Sequence, residues 1–505
     1  MKNLCKNLDL LFEAVCYWES MNNFRNERAR CKRYCYGDQW GDLISVDGKW
    51  VKEESYIRSQ GSEPLKNNLI RRLVKQVLGL YRSETKPCTV GCDDKRMQKG
   101  MMNMLEKVAR LNCYEELNAR ALEEFLISGM VVQRKSYGWR NGGAGCWTVN
   151  VPLDLFFVDS HHSDCRGWDV GVIGEIHDMR FDAVCAEFAH NSEDVEALRA
   201  IYNIDSYRQR VDDVMAGWGM AWGSRDKFFF PRQPQLCRVV EVWKRERKPG
   251  YLCHDRKEGV LAWVDARDFS PHLTSDDHDV QWMMADEWHY YFLSPFGDII
   301  DEGASPYAHG QHPFVFKAYP MVDGEVHSFV ADVIDQQRYT NRLITLYDWV
   351  MRSSAKGVLL VPEECIPDGY TIEDMADEWA RFNGVIPVKS RDGMVMPQQV
   401  AANAVNIGIN ELLQTQLNFM EDISGVTGAL QGKTTATGVS GKLYEQQTRN
   451  ATLAQLDLLD TFHNFIRDGL AKDISNIQQF YESDKLDGIP AEQIPLFRRM
   501  EFRLE

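Results

Sequence analysis

The stretch that decides the fold is residues 440–483, SGKLYEQQTRNATLAQLDLLDTFHNFIRDGLAKDISNIQQFYES. It runs for more than forty residues without proline and with one interior glycine, Gly469, so it predicts a single helix of roughly 60 Å. Its apolar spacing is closer to 3.6 residues than to a sustained heptad. This spacing favours packing in a globular core over a coiled coil.

The two halves of this segment differ in polarity. The second half carries an apolar stripe made of Leu459, Phe462, Ile466, Leu470, Ile474, Ile477 and Phe480–Tyr481. The first half is polar and contains Gln446, Gln447, Thr448 and Asn450. Because an amphipathic helix buries its apolar face, we expect the helix to lie partly in a core and partly elsewhere.

Two further helices and a compact insert precede this segment. Residues 327–356 and 401–424 carry apolar residues at helical spacing. Between them, residues 356–400 indicate a strand, a proline turn, a short acidic helix and another strand. The C-terminal order is therefore helix, small α/β insert, helix, Gly/Thr-rich loop and very long helix.

The N-terminal part of the chain mixes helices and strands. Residues 1–30 predict one amphipathic helix, and residues 166–325 indicate an α+β region rich in aromatic residues. Further helices are predicted over 64–84, 93–111 and 113–130, and strands over 131–139 and 146–160. The predicted fold class is therefore α+β.

Composition excludes several classes of protein. The net charge is −16, whereas a protein that grips DNA by its phosphates needs a basic face, so DNA contact is expected only at a few Lys or Arg positions. The apolar segments are too short to cross a membrane, and acidic residues in the first apolar segment argue against a signal peptide. The thirteen cysteines include no C-x-x-C pair, which favours free thiols in a reducing cytoplasm over a zinc site.

The loop GALQGKTTATGVSG (428–441) contains a Gly-Lys-Thr sequence that imitates a phosphate-binding loop. A P-loop needs four residues between its first glycine and Gly-Lys-Ser/Thr, and it follows a strand. Here three residues separate Gly428 from Gly432, and a helical pattern precedes the loop. Both observations weigh against a nucleotide site.

The order of these segments resembles the portal proteins of tailed bacteriophages. Residues 66–91 (KNNLIRRLVKQVLGLYRSETKPCTVG) are similar to the early portal helix that leads into a strand. Residues 329–364 (FVADVIDQQRYTNRLITLYDWVMRSSAKGVLLVPEE) resemble a stem helix entering the clip. Residues 424–466, which include TGVSGKLYEQQTRNATLAQLDLLDTFHNFI, resemble the tunnel loop and long helix.

The resemblance implies a portal fold with a mixed wing, long stem helices, a small α/β clip and a very long C-terminal helix. The implied domains are an unplaced N-terminal arm (1–62), wing (63–328), stem helix (329–357), clip (358–400), stem helix (401–424), tunnel loop (425–439), long wing helix (440–483) and short tail or rudimentary crown (484–505).

The same resemblance implies a structural function. Such proteins form a ring, usually of twelve subunits, at one capsid vertex, and double-stranded DNA passes through it during packaging and ejection. The implied partners are the terminase large subunit, the head–tail adaptor, the major capsid protein and scaffolding proteins, with no membrane and no cofactor. We expect assembly in the host cytoplasm and a final location in the virion. The alternative is a nucleotide-dependent enzyme that uses residues 428–434.

Two sets of site residues follow from the resemblance. The tunnel loop would meet DNA through Gly428, Gly432, Lys433, Thr434, Thr435 and Thr437. The clip would dock partners through an acidic helix with Glu373, Asp374, Asp377 and Glu378. Residues 358–398 hold eight acids and three bases, although a solvated helix face explains the same charges.

Two other clusters contain reactive residue types. Asp159–Asp164 offers two carboxylates and two imidazoles that suit a divalent ion, but a polar turn after a strand is the favoured interpretation. Cys253, His254 and Asp255 include a nucleophile and a base, but adjacent residues do not face each other productively. We therefore expect a strand end there and no catalytic residue in the chain.

Overall fold

The computed structural model describes residues 5–84, 89–140, 142–164, 166–219, 225–255, 261–269, 278–319, 321–322, 324–356, 358–380, 385–389, 395, 397–400, 408–426, 441–486 and 488–504. The chain divides into two compact units. Unit 1 comprises Met1–Lys32, Arg72–Asp332 and Gly425–Glu505, and unit 2 comprises Arg33–Arg71 and Val333–Ser424.

The helices vary in length from one turn to more than ten turns. In chain order they are α1 (Leu8–Ser20), α2 (Asn22–Tyr36), α3 (Glu53–Ser59), α4 (Leu69–Glu84), α5 (Lys95–Leu111), α6 (Tyr114–Ser128), α7 (Phe181–Phe188), α8 (Ser192–Ile201), α9 (Ile204–Gly217), α10 (Asp226–Phe229), α11 (Ala331–Lys356), α12 (Ile372–Ala380), α13 (Ile409–Ser424), α14 (Gly441–Phe480) and α15 (Ile494–Phe497). Short 3₁₀ turns cover Glu363–Cys365 and Ala491–Gln493.

The strands are β1 (Leu43–Val46), β2 (Lys49–Lys52), β3 (Val90–Gly91), β4 (Met130–Arg140), β5 (Gly143–Asn150), β6 (Phe156–Val158), β7 (Val172–Met179), β8 (Cys237–Asp255), β9 (Leu261–Asp265), β10 (His278–Leu293), β11 (Ile299–Ala304), β12 (Phe314–Ala318), β13 (Met321–Val322), β14 (Glu325–Val326), β15 (Val358–Leu360), β16 (Gln398–Val400) and β17 (Arg503–Leu504). Mixed helix and strand content confirms the α+β class.

Two antiparallel sheets form the frame of unit 1. The larger has the order β11-β10-β8-β7-β6, with β9 paired to β8, and the smaller has the order β12-β4-β5. Phe156 on β6 and Phe314 on β12 meet edge to face, with ring centroids 6.0 Å apart. The apolar faces of both sheets thus share one core, to which α1, α8 and α9 also contribute buried side chains.

A second core in unit 1 joins α5 to the end of α14. Met97 and Met101 on α5 and Ile477 on α14 are fully buried in it. The C-terminal segment completes this core, because Phe497 is buried and β17 pairs with β3. Packing of this kind stabilises the last two turns of α14, which would fray in isolation.

Gly129 ends α6 with a left-handed backbone, φ +75°. A Cβ atom there would lie 2.6 Å from the carbonyl oxygen of His327, a distance that no side chain tolerates. Glycine is therefore required both for the turn and for the close approach of the two backbones. The chain turns at this point directly into β4.

Polar contacts organise unit 2. Glu53 is buried and bridges two arginines of α11, with Oε2 3.0 Å from Arg338 Nη2 and Oε1 2.5 Å from Arg342 Nη2. The Gln337 side chain donates to the Asn67 carbonyl over 2.7 Å and accepts from the Leu69 amide over 3.0 Å. These contacts fasten α11 to the segment that precedes α4.

The prediction of one helix over residues 1–30 is wrong, because α1 ends at Ser20 and α2 begins at Asn22. Arg25 contacts the C-terminal end of α1 across this break. Its guanidinium donates over 2.6 Å to the Trp18 carbonyl and lies 3.7 Å from the centroid of the Trp18 ring. The side chain therefore binds a carbonyl that a continuous helix would use for its own ladder.

Candidate functional site

The loop that the sequence singles out lies outside the described residues. This holds for Gly428, Gly432, Lys433, Thr434, Thr435 and Thr437. Its flanks are described: α13 ends at Ser424 and α14 begins at Gly441. A P-loop requires a strand before the loop, so the helical flank argues against the nucleotide-dependent enzyme.

The acidic residues of the segment predicted as the clip lie on α12. Glu373, Asp374 and Asp377 are exposed, and Glu378 is half-buried. All four fall within two turns, at i, i+3 or i+4 spacing, so their carboxylates share one broad face. The described residues of α12 include no Lys or Arg, and the face is therefore negatively charged.

Asp374 also caps the N-terminus of α12. Its Oδ2 accepts from the Thr371 amide over 2.9 Å and from the Thr371 hydroxyl over 2.8 Å, while the Asp374 amide donates to the Thr371 hydroxyl over 3.1 Å. This reciprocal arrangement caps the start of α12. The hydrogen bonds from Thr371 lower the pKa of Asp374, which keeps the carboxylate ionised.

The segment predicted as the clip, residues 358–400, also exposes apolar side chains. Cys365 and Met375 are buried, and the Lys389 amide donates to the Cys365 carbonyl over 2.9 Å. In contrast, Ile372 is 68% exposed and Val385 is 80% exposed. Few apolar side chains of this segment are buried in its own core. The exposed ones form a surface of the kind that a protein partner covers.

Two long helices of unit 2 present apolar stripes. On α11, Tyr339, Leu346 and Trp349 follow one another at seven and three residues, and each is 44–51% exposed. On α13, Leu412, Phe419 and Ile423 have spacings of seven and four residues, with exposures of 44–48%. Such spacing places each set along one side of its helix, so each helix has an unburied apolar stripe within its own unit.

The second half of α14 fits the predicted stripe. Leu459, Phe462, Ile474, Ile477 and Tyr481 are buried, as the spacing predicts. Phe465 is also buried, although the sequence did not single it out, and Ile466 and Leu470 are half-buried. The predicted polar residues of this helix run from Gln446 to Asn450, and their side chains are not among those that the structure describes.

A buried ion pair fixes α14 to the three-stranded sheet. Lys135 Nζ on β4 lies 2.7 Å from Asp473 Oδ2 on α14, and the Tyr114 hydroxyl donates to the same oxygen over 2.6 Å. The side chains of Lys135 and Asp473 are 3% and 0% exposed. Sequence reasoning missed this pair because Asp473 interrupts an otherwise apolar face.

Three basic groups cluster beside this pair. Lys472 Nζ donates over 2.7 Å to the carbonyls of both His312 and Phe314. Burial lowers the pKa of Lys472 to about 7. Burial and the charge of Lys472 lower the pKa of His309 to about 3 and that of His312 well below its usual range. The folded chain thus favours the neutral form of each group.

Stability is expected to rise with pH between about pH 7 and pH 8.5 through Lys472. The unfolded chain keeps this lysine protonated up to its ordinary pKa of 10.5, whereas the folded chain releases the proton above about 7. The folded state binds fewer protons in this window, so the free energy of unfolding increases by at most about 1.4 kcal/mol per pH unit. Urea unfolding at both pH values measures the increase.

Lys472→Met should flatten this pH dependence, since methionine cannot titrate. Lys99→Met changes an exposed lysine on α5 and serves as the control that keeps the wild-type slope. The same slope in wild type and Lys472→Met would contradict the assignment.

Comparison with protein-family models identifies the chain. A model described as phage P22-like portal protein matches residues 16–488, which is more than nine-tenths of the chain. The chain belongs to this family of phage portal proteins. The match confirms the resemblance to phage portal proteins. It begins at residue 16, whereas the first segment with a recognisable sequence resemblance begins at residue 66. A search of curated proteins finds no match.

Membership gives the protein a phage portal role at a capsid vertex. The family is structural rather than enzymatic. No helix in the described part of the chain is both long and apolar enough to cross a membrane.

One group of side chains in the portal protein, with two buried glutamates and a half-buried histidine, has metal-ligand types. Glu175, His177 and Glu241 offer ligand atoms within 4.8 Å of one another, and no other such group occurs among the described residues. However, Arg134 Nη1 lies 2.7 Å from Glu241 Oε2, and His177 Nε2 lies 2.7 Å from the same oxygen. The guanidinium therefore supplies the positive charge that these carboxylates need when buried.

The pKa directions agree with this ionic network. Burial alone would raise the pKa of Glu241, but Arg134 and His177 lower it. Burial alone would lower the pKa of His177, but its hydrogen bond to Glu241 raises it. We conclude that this group ties β4 to β7 and β8 by charge pairing.

The Asp159–Asp164 segment of the portal protein forms a polar turn after β6. Asp159 is buried and its Oδ1 accepts from the His161 amide over 2.5 Å, while the His162 ring contacts the Asp159 carbonyl. Asp164 pairs with Arg166 over 2.9 Å. These carboxylates are engaged by protein groups, as the polar-turn interpretation expects.

Cys253, His254 and Asp255 lie within β8, in register with β9 and β10. Successive side chains of a strand point to opposite faces, which places His254 away from Cys253. The eleven described cysteines are free thiols, and six of them are buried. Cys88 and Cys165 lie outside the described residues.

Local positive charge occurs on α5 of this acidic portal protein. Lys95, Arg96, Lys99, Lys107 and Arg110 are exposed there, and Glu106 is the one acid of the helix. Arg110 pairs with Glu106 over 2.6 Å. The helix therefore carries a local excess of positive charge, although the net charge of the chain is −16.

Proposed function

We propose that the chain assembles into a closed ring, with twelve copies as the family resemblance implies, and that the ring conducts DNA during packaging and ejection. The observation that carries the proposal is the pair of exposed apolar stripes on α11 and α13. Exposed apolar surface of this kind marks protein–protein contact. Because the two stripes consist of different residues, they suit a head-to-tail interface, which forms a ring when the rotation between subunits closes.

Imaging of the assembled protein tests the ring. Twelve copies of a 58.2 kDa chain give a particle of roughly 0.7 MDa with a central opening. Mass photometry gives the mass, and electron micrographs give the symmetry and the opening. The chain should be expressed both alone and with the scaffolding protein, since some rings close only with a partner. Monomers under both conditions would contradict the proposal.

The segment 425–439 is proposed as the tunnel loop that meets DNA. Lys433 is the only charged residue in 425–441, so the loop can touch a phosphate without gripping it. Deletion of residues 429–437 is expected to leave ring assembly intact and to reduce packaged or retained DNA. Mass photometry and an in vitro packaging assay measure the two effects. Failure of the deletion variant to fold would instead make the loop a structural element.

The clip helix α12 is proposed to dock the terminase large subunit during packaging and the head–tail adaptor afterwards. Its exposed carboxylates suit a basic partner surface, because complementary charges raise the association rate and fix orientation. The triple variant Glu373→Gln, Asp377→Asn and Glu378→Gln is expected to weaken terminase binding at least tenfold and to reduce its salt dependence. Asp374 is kept because it caps the helix.

Surface plasmon resonance at two salt concentrations measures this effect. The control is Glu193→Gln, Glu196→Gln and Asp213→Asn, which removes the same charge from exposed positions on α8 and α9. Equal binding by both triple variants would show that net charge alone is responsible, and unchanged binding would remove α12 from the interface.

We also propose contacts with the major capsid and scaffolding proteins, which a protein at a capsid vertex needs for incorporation. On this proposal the ring assembles in the host cytoplasm and is retained in the virion.

A further inference from the structure

A cleft in unit 1 is lined by residues that belong to neither the predicted loop, the predicted clip nor the apolar stripes. It opens between α7, α8, α9 and the segment that leads into β8, and its volume is about 480 Å³. Its apolar lining comes from Phe181, Tyr202, Tyr207, Phe230 and Leu236. Volume and lining both fall within the range of sites that bind a ligand or a peptide anchor.

The walls of this cleft are held in place. The Tyr202 hydroxyl donates over 2.8 Å to the Arg238 carbonyl, and the Tyr207 hydroxyl donates over 2.7 Å to the Phe229 carbonyl. The polar ends of both rings are therefore satisfied by the protein. Their apolar faces are left to line the cleft, and such a preformed site costs little ordering on binding.

The rim of the cleft is positively charged. Arg199 and Arg208 line it and are exposed, and no Asp or Glu is among the described residues of its lining. Neither arginine forms a salt bridge with another described residue, although the Arg199 guanidinium lies 6.0 Å from the Phe181 ring centroid. Two available guanidinium groups above an aromatic floor favour a ligand that combines carboxylates with an apolar group.

Pro231 and Pro234 add a further constraint at the entrance. Both line the cleft, and proline fixes its own backbone and lacks an N–H donor. A ligand at this side is therefore recognised by side-chain contact rather than by strand pairing. The site suits a short segment that inserts one side chain.

We propose that this cleft binds a short acidic peptide segment of a partner protein. One large apolar side chain of the peptide inserts between Phe181, Tyr207 and Leu236, and flanking carboxylates pair with Arg199 and Arg208. This site is separate from the proposed ring, channel and clip functions and does not depend on them. It gives the portal protein a point of attachment on the face that carries α7–α9.

Fluorescence anisotropy with the full-length protein tests the proposal. The probe is a fluorescein-labelled synthetic peptide in which tryptophan and leucine lie between aspartates. Saturable binding is expected, with a loss of at least tenfold in affinity in Arg199→Gln/Arg208→Gln. The control variant is Arg110→Gln, which changes an arginine on α5 whose side chain is 77% exposed. It should bind the peptide like the wild type. Mass photometry of the same samples reports assembly separately, so failure of the ring proposal is distinguishable.

Three control ligands complete the experiment. A peptide with lysines in place of the aspartates, and one with alanines in place of tryptophan and leucine, should each bind at least tenfold more weakly. Equal binding by either peptide, or no saturable binding of the acidic probe, would overturn the proposal. Tighter binding of duplex DNA that is lost in the same double variant would also overturn it, because the arginines would then serve phosphates.

Discussion

Replacing Leu346 on α11 and Phe419 on α13 by glutamate is expected to yield a folded chain that no longer forms rings. Leu346 is 45% exposed and Phe419 is 48% exposed, so within one chain the substitutions change stability by only about 0.5 kcal/mol. In a ring, each side chain would face a neighbouring subunit. A glutamate buried there without a partner costs several kcal/mol at every interface.

Mass photometry and far-ultraviolet circular dichroism together check this result. The expected outcome is a monomer mass with an unchanged helical spectrum and an unfolding midpoint close to that of the unassembled wild-type chain. Leu496→Glu is the matched control, because this leucine is 55% exposed but lies on α15 of unit 1, and it should preserve assembly. Rings formed by the double variant would contradict the assignment of these stripes to the interface.

Long helices were the most predictable part of the fold. The helix predicted over 440–483 is found as Gly441–Phe480, and the helix predicted over 327–356 is found as Ala331–Lys356. In helices of this length many residues contribute to the hydrophobic period, so a single polar residue on the apolar face does not obscure the pattern. The break at Met21 was missed because it interrupts the helix by a single residue, which is too short to be visible in a hydrophobic period.

One readable signal was overlooked in the sequence. Asp47 and Gly48 both have positive φ, +49° and +76°, and they join β1 to β2 in register. An Asp-Gly pair between two apolar-containing runs is a strong indicator of a hairpin turn. Here the strands are only four residues long and largely exposed. Their alternation of apolar and polar residues was therefore too short to indicate two strands.

The candidate site was predictable only in part. The exposure of Glu373, Asp374 and Asp377 follows from their spacing on a short helix. The docking function of that helix and the role of Lys433 stay predictions, since charge patterns do not identify a partner. The buried contacts of α14 could not be foreseen, because Lys135 and Asp473 are 338 residues apart in the sequence.

The largest effect on stability is expected from Asp473→Ala. This change leaves the Lys135 ammonium buried, at 3% side-chain exposure, without the carboxylate that lies 2.7 Å away. The Tyr114 hydroxyl also loses its hydrogen bond to Asp473 and keeps its contact with the Thr148 hydroxyl. Removal of one partner from a buried pair costs about 3–5 kcal/mol, and α14 would detach from β4 at lower urea concentration than in the wild type.

Two further variants separate the cost of an unpaired charge from the cost of lost packing. In Lys135→Met/Asp473→Leu both charges are replaced by apolar groups, so most of the lost stability should return. Glu106→Ala breaks the exposed Arg110–Glu106 pair, whose side chains are 77% and 62% exposed, and should cost less than about 1 kcal/mol. Urea unfolding followed by tryptophan fluorescence gives all three values. If the double variant is as unstable as Asp473→Ala, then the directional contact itself stabilises the position of α14. Apolar replacement removes the unpaired buried charge, but it does not restore the hydrogen bond between Lys135 and Asp473.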